Sequence, residues 1–435
     1  MGEALITRRG GGAKIEIGFS YDVDKTSGVV QASNLTASRY EMGCAECNDE
    51  AVFIGGWHYP GGEQSTIDAV NARSRTTRGI GNLPQVQRAL CAICDKQEGR
   101  IYAAFPYGPK SGGGNIYMID PQTNTTSVFS TVSGTLSSNN STYGGGGVLN
   151  GEVVFTGKTT SSITPITCVN KTTKSKRTVT PPAQLSCGGS GIIDAEVVFI
   201  SDAGIYAFNN SSSTVRKVGE ISNFAQYLFT TTGCISNRKV VGTTKSYQLI
   251  VFDFDTHTAT APKDVNGKYY QSLTAVGKTV SWAGGGNSSG DYPVYDDVLL
   301  FNTETLTSNL SHHLLRARTA VASVGVNSSD AFVYAGGVKP TATSETSYAD
   351  AEVLSLIPPN TIEMPQLTLA DGRRQTEPLS CKVKFNDAVV YMGVSYPPGS
   401  TLELDQERTI TAPDIPAEQT AIAGKYILKK GVYQL

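Results

Sequence analysis

Short apolar runs alternate with polar, turn-rich spacers along the whole chain, and nearly every run closes on a glycine or another small residue. Written as an aromatic or apolar residue, any residue, then a small one, the pattern occurs eight times. The copies are Phe53-Ile54-Gly55, Tyr102-Ala103-Ala104, Phe155-Thr156-Gly157, Phe199-Ile200-Ser201, Val240-Val241-Gly242, Trp282-Ala283-Gly284, Tyr334-Ala335-Gly336 and Tyr391-Met392-Gly393. Runs this short and this rich in Val, Ile, Phe and Tyr predict strands rather than helices. Their mean spacing is about 48 residues, the period of a repeat array. Six of them are followed by a second apolar strand that ends in Asp or Asn, with Ser or Thr three residues later: Asn71/Ser74, Asp120/Thr123, Asn170/Thr173, Asn209/Ser212, Asp253/Thr256 and Asn302/Thr305. An Asx side chain caps a tight hairpin turn, and the Thr is expected to start the returning strand.

Ahead of each run lies a segment of small residues, such as "GCAECND", "YGGGGVLN" and "CGGSGIID". Small side chains suit the innermost strand of a radial sheet, where neighbouring sheets crowd near an axis. Each unit therefore reads as an inner strand, a Gly-ended second strand, an Asx-ended third strand and a Thr-rich outer strand. The fold class is all-β: a propeller of about seven four-stranded blades, with six to eight compatible with the repeat count. The predicted organisation is an N-terminal attachment arm over 1–33, the propeller over 34–360 and a β-rich C-terminal segment over 361–435. The eighth core, within "LSCKVKFNDAVVYMGV", either opens that segment or joins the N-terminal "FSYDVDKTSGVV" in a closing blade. The favoured reading is seven blades with the two chain ends separate.

The repeat resembles the kelch family, which combines a Gly-Gly pair with an aromatic and acidic turn. The pair is literal at Gly55-Gly56, Gly284-Gly285 and Gly336-Gly337. The resemblance covers roughly 34–360 and implies architecture, not activity.

Composition narrows the function classes. With 17% charged residues and a net charge of −2 over 435 residues, there is no basic field for nucleic acid. No stretch approaches the length of a membrane span. The opening "MGEALITRRGGGAK" lacks the apolar core of a secretory signal, so synthesis and folding in a cytoplasm are expected. Cys44/Cys47 and Cys91/Cys94 form two CxxC pairs. Residues three apart on a strand point to opposite faces, so neither pair is expected to chelate one zinc ion, and all four read as packed small residues.

In a four-stranded blade the second-to-third and outer-to-inner connections emerge at the same end. The former carry aromatics here, and Trp57, His58, Tyr59, Phe105, Tyr107, Tyr292, Tyr295 and Tyr348 are candidates for a ligand-binding rim. Aromatic faces beside Asn, Asp and Ser suit sugar rings; the alternative is packing under the loops or against a subunit. Arg39 and Arg88 each stand 16 residues before the end of a second strand, and Arg318 lies near the equivalent place. They are candidates for an anion site at the channel mouth, or else for cross-links between blades. His58 with His312 or His313 could share that face, while His257 reads as a solvated turn residue. No catalytic motif stands out, and no metal or cofactor is expected.

A Gly-, Ser-, Thr-, Asn- and Tyr-rich repeat protein with extra segments at both ends resembles bacteriophage tail and fibre proteins. That resemblance implies a non-enzymatic virion component made in the host cytoplasm. It would contact other virion proteins through its terminal segments, assemble as a homo-oligomer and present loops to a host-surface glycan, without nucleic-acid binding or membrane insertion. The competing expectations are a kelch-type carbohydrate-active enzyme, sialic-acid-processing or galactose-oxidase-like, and an intracellular bacterial kelch scaffold.

Overall fold

A computed structural model describes residues 26–88, 90–104, 114–131, 144–157, 163–225, 231–265, 268, 270–286, 293–341 and 344–356, with isolated strands nearer both ends. The chain forms two compact units, one of Ser27–Ser355 and one of Met1–Thr26 with Leu356–Leu435.

The first unit is a ring of seven antiparallel blades. Blade 1 has Gly43–Cys47 innermost, then Glu50–Ile54, Gly62–Asn71 and Thr76–Gln87. Blades 2 to 6 begin with the inner strands Cys91–Asp95, Gly144–Leu149, Cys187–Ile193, Gly233–Ser236 and Ser272–Val276, and each then runs outward in chain order. Blade 7 runs Ala322–Val326, Ala331–Ala335 and Ala351–Leu356, and its outer strand is Thr26–Gln31 from the start of the chain. The expectation that the chain ends stay apart from the blades is thus corrected. The N-terminal strand closes the ring and covers the edge of blade 7. This also explains why the seventh unit has no Asx hairpin, since its outer strand is not the next piece of chain.

All six Asx turns form. The Oδ1 of Asn71, Asp120, Asn170, Asn209, Asp253 and Asn302 accepts the backbone N–H three residues on, at 2.9–3.1 Å. The next residue in each turn (Arg75, Asn124, Lys174, Ser213, His257, Leu306) adopts a left-handed φ of 54–59°. The Ser or Thr therefore sits inside the turn, and the returning strand begins after the left-handed residue.

Small residues crowd the axis as expected. A Cβ on Gly189 would lie 1.9 Å from the carbonyl oxygen of Gly233 on the neighbouring inner strand. The seven inner strands surround an axial cavity of about 890 Å³, lined in part by Cys44, Cys91, Gly146, Cys187, Cys234 and Ser323. Apolar side chains from the second and third strands fill the spaces between blades. Val52, Ile54, Ala69, Ile101, Ala103 and Tyr117, for example, make one core between blades 1 and 2.

One cysteine of each CxxC pair is bonded to the other pair. Cys47 bonds to Cys94 across blades 1 and 2, a pairing that the expectation of packed small residues missed. Cys44 and Cys91 stay free, and burial pushes both thiols up to about 12, so they are inert at neutral pH.

In the second unit, Ala4–Ile6, Ile15–Gly18, Leu379–Phe385 and Ile362–Met364 form a four-stranded sheet in that order. The eighth core belongs here and not to the ring: Val389–Tyr391 pairs only with Val394–Tyr396 among the described strands.

Candidate functional site on the loop face of blades 6, 7 and 1

The connections expected to share a face are built on a common device. In blades 6, 7 and 1 the second strand ends in Gly-Gly, both residues at positive φ (69° and 111°, 60° and 104°, 60° and 118°). That conformation is open to glycine at little cost. It aims the second N–H of each pair at the backbone carbonyl of the residue four before the following blade's inner strand: Gly285 to Arg318, Gly337 to Arg39 and Gly56 to Gln87, at 2.8–3.0 Å. The residue equivalent to Arg39 and Arg318 is therefore Gln87, and Arg88 lies one position further on with a different role.

This geometry decides the arginines. Arg39 and Arg318 have fully buried side chains. The Arg39 guanidinium pairs with Asp68 at 2.7 Å, donates to Thr66 Oγ1 and lies 3.1 Å from Met42 Sδ. Arg318 pairs with Glu352 at 2.7 Å and approaches Asp350 at 3.4 Å. In both cases the acid comes from the third strand of the same blade. A mouth-of-channel anion site needs exposed guanidinium groups, and these two have none; each guanidinium pairs within its own blade, while its backbone carbonyl accepts from the Gly-Gly N–H of the preceding blade. Arg88 alone of the three reaches the surface.

Arg88 lies over the Trp57 ring, 4.3 Å from its centroid, with its Nη1 3.0 Å from Glu41 and its Nε 3.8 Å from Glu63. Trp57 packs in turn on the apolar cluster of Tyr40, Ala320 and Val338. Tyr40 and Trp57 form an antiparallel bridge, and the Tyr40 hydroxyl donates to Glu345 at 2.5 Å. Burial and that carboxylate both push the Tyr40 hydroxyl above its ordinary range. Glu41 is buried, with φ 57°. Burial raises its carboxyl to about 7 against the pull of Arg88, and Glu345 and Glu63 add to the rise.

The remaining rim candidates fall into place around this core. Tyr59 is 38% exposed, and its backbone N–H donates to Ser347 Oγ at 3.1 Å. His58 Nδ1 lies 3.0 Å from the Ser38 hydroxyl. Tyr348 sits under Arg316 (5.6 Å) and Tyr295 under Lys268 (4.9 Å). Trp57, Tyr295 and Tyr348 thus each carry a cation on one face, a contact worth about 0.5–1 kcal/mol at exposed sites, and Tyr59 is the most open of the four. Phe105, Tyr107 and Tyr292 lie outside the described residues. His313 faces Asp296 and Asp297 rather than His58, and His257 occupies its turn as expected.

Sequence reasoning missed Tyr40, Glu41, Glu63 and Glu345. Nothing local marks them: Tyr40 and Glu345 are 305 residues apart and meet only because blade 7 closes against blade 1.

Glu41 makes stability depend on pH. Its carboxyl rises from 4.5 to about 7 on folding, so between those values the native state holds a proton that the unfolded chain has released. The associated stability is fully present below about pH 4.5 and is lost as pH rises through 7, a swing of roughly 3 kcal/mol. Urea midpoints at pH 5 and pH 8 should show Glu41→Gln gaining on the wild type at the higher pH. Parallel profiles would mean that Glu41 is not buried as described.

Fold and site together define a closed seven-bladed β-propeller with a preorganised loop face. The sequence matches no protein-family model and no curated protein.

Proposed function

We propose that this chain is a kelch-like, non-enzymatic structural component of a bacteriophage virion, of the tail or fibre type, whose propeller presents the blade 6–7–1 loop face to a host-surface glycan or a neighbouring virion protein. The observation that carries this reading is the construction of that face. Contacts between residues about 300 apart, Tyr40 with Glu345 and Tyr59 with Ser347, hold loops from different blades in one arrangement before any ligand arrives. Preorganisation of this kind lowers the ordering cost of binding, and many copies in a particle would multiply weak single sites. Both chain ends enter the smaller unit, which is suited to attachment. The raised Glu41 carboxyl, with Glu63 and Glu345 beside it, favours a carbohydrate-active enzyme as the second reading, because a general acid is tuned in this way.

Two experiments separate the readings. Reading frames of tail-tube or baseplate type beside the gene support the virion role, whereas sugar-transport or sugar-catabolic frames overturn it. On host cell-wall glycans, Tyr59→Ala should weaken binding at least fivefold without any turnover. Glycan release that is lost in Glu41→Gln would establish the enzyme instead.

A further inference from the structure

Blade 6 carries a second cluster on the same loop face, separate from the Trp57 core. Its third strand begins at Asp297 and its outer strand ends at His313. The two residues oppose each other directly across the antiparallel pair. Asp296 precedes Asp297, and its carbonyl accepts the N–H of Leu314 at 2.7 Å. The Asp297 carbonyl accepts the N–H of Gly284, the first glycine of the Gly-Gly pair, at 2.9 Å. All three residues therefore sit on backbone fixed by sheet and loop hydrogen bonds.

Their donor atoms converge. One atom from each of Asp296, Asp297 and His313 lies within 4.8 Å of the other two. His313 Nδ1 is 3.3 Å from Asp296 Oδ1 and 3.8 Å from Asp297 Oδ1. A metal bound at about 2.0–2.2 Å to nitrogen and oxygen holds neighbouring donors at such separations, so small side-chain rotations bring all three to one ion. The side chains are partly exposed, 46%, 27% and 55% in that order, which leaves an approach for an ion and for water. From this geometry we propose that Asp296, Asp297 and His313 form a binding site for one divalent transition-metal ion of the Mn²⁺ or Zn²⁺ type, with its remaining positions open to water or to an oxygen of a ligand.

The donor chemistry selects the class of ion. Two carboxylates and one imidazole suit first-row transition metals, whereas Mg²⁺ and Ca²⁺ prefer all-oxygen sets. Three protein donors are the number found in open rather than purely structural zinc sites. The proposal does not depend on the virion reading.

A simpler use of the same residues is a cross-strand ion pair between His313 and the two aspartates. The two uses respond oppositely to acid. An ion pair needs a protonated imidazole and strengthens as pH falls; a metal ligand needs the neutral ring and weakens. Isothermal titration of MnCl₂, ZnCl₂ and MgCl₂ into the full-length, tag-free protein in a non-coordinating buffer decides between them. The expected result is one equivalent of Mn²⁺ or Zn²⁺ per chain, at least tenfold tighter than Mg²⁺ and weaker at pH 6 than at pH 7.5. Affinity should fall at least tenfold in Asp296→Asn and in His313→Gln, two substitutions at half-exposed positions that allow the test to stand on either. Absence of saturable binding, or binding that both variants retain, overturns the site; the second outcome would place the ion elsewhere, for example among the axial thiols.

Discussion

Asp68→Ala is expected to cost the propeller about 3–5 kcal/mol, the usual penalty for leaving a buried charge unpaired. Asp68 is fully buried, and its Oδ2 accepts from the Arg39 guanidinium and from the backbone and hydroxyl of Thr36. Burial pulls the Arg39 guanidinium down from its ordinary range, and Asp68 is what opposes that pull. With the carboxylate gone, Arg39 keeps only neutral partners. The double variant Arg39→Met/Asp68→Leu should recover most of the loss, because replacing both charges with apolar groups removes the desolvation cost of each. Denaturant midpoints of wild type, single and double variants measure this directly. A single variant that costs less than about 1 kcal/mol would show that water reaches the pair.

The second large effect is covalent. Reducing the Cys47–Cys94 bond, or replacing Cys94 with Ser, should cost about 2–4 kcal/mol, chiefly by freeing the unfolded chain. The bond closes a segment with a sequence separation of 47 and joins the inner strands of adjacent blades. Thermal unfolding with and without a phosphine reductant should show a drop in Tm that is absent in Cys94→Ser. Alkylation of both thiols in unreduced, folded protein would contradict the pairing. Disulfides are rare in reducing cytoplasm, so under the proposed virion role the bond closes after release.

Much of the ring was legible because its signals are local. An Asx side chain bonding to a backbone three residues away leaves the same mark wherever the turn occurs, and Gly-rich inner strands such as "YGGGGVLN" mark crowding at the axis. The outer strand of blade 7 was half legible: "FSYDVDKTSGVV" could be read as closing a blade, but with the eighth core as its partner, because nothing in "TSGVVQ" points to Ala351–Leu356 at the far end of the sequence. The arginines show a finer limit. Counting back from the second strand selected Arg88, but the Gly-Gly junction places Gln87 in the position of Arg39, and one residue of slip turns a side chain from the interior to the rim. The cysteines were read as packed small residues, which holds for Cys44 and Cys91 but not for Cys47 and Cys94. Their pairing across blades depended on which inner strands are neighbours and at what height, and spacing alone does not encode that.

The closure of blade 7 by Thr26–Gln31 also sets an order of events during synthesis. The strand leaves the ribosome before the rest of the ring, but its place beside Ala351–Leu356 does not exist until roughly 300 more residues have been added, on the order of half a minute at common elongation rates. Six blades can assemble as their hairpins emerge, each from contiguous chain, while Thr26–Gln31 waits with an unpaired edge. Productive folding therefore rests on keeping that strand from other edges until translation is nearly finished. Nascent chains that stall before Leu356 have no docking place for it, and are the species most prone to aggregate.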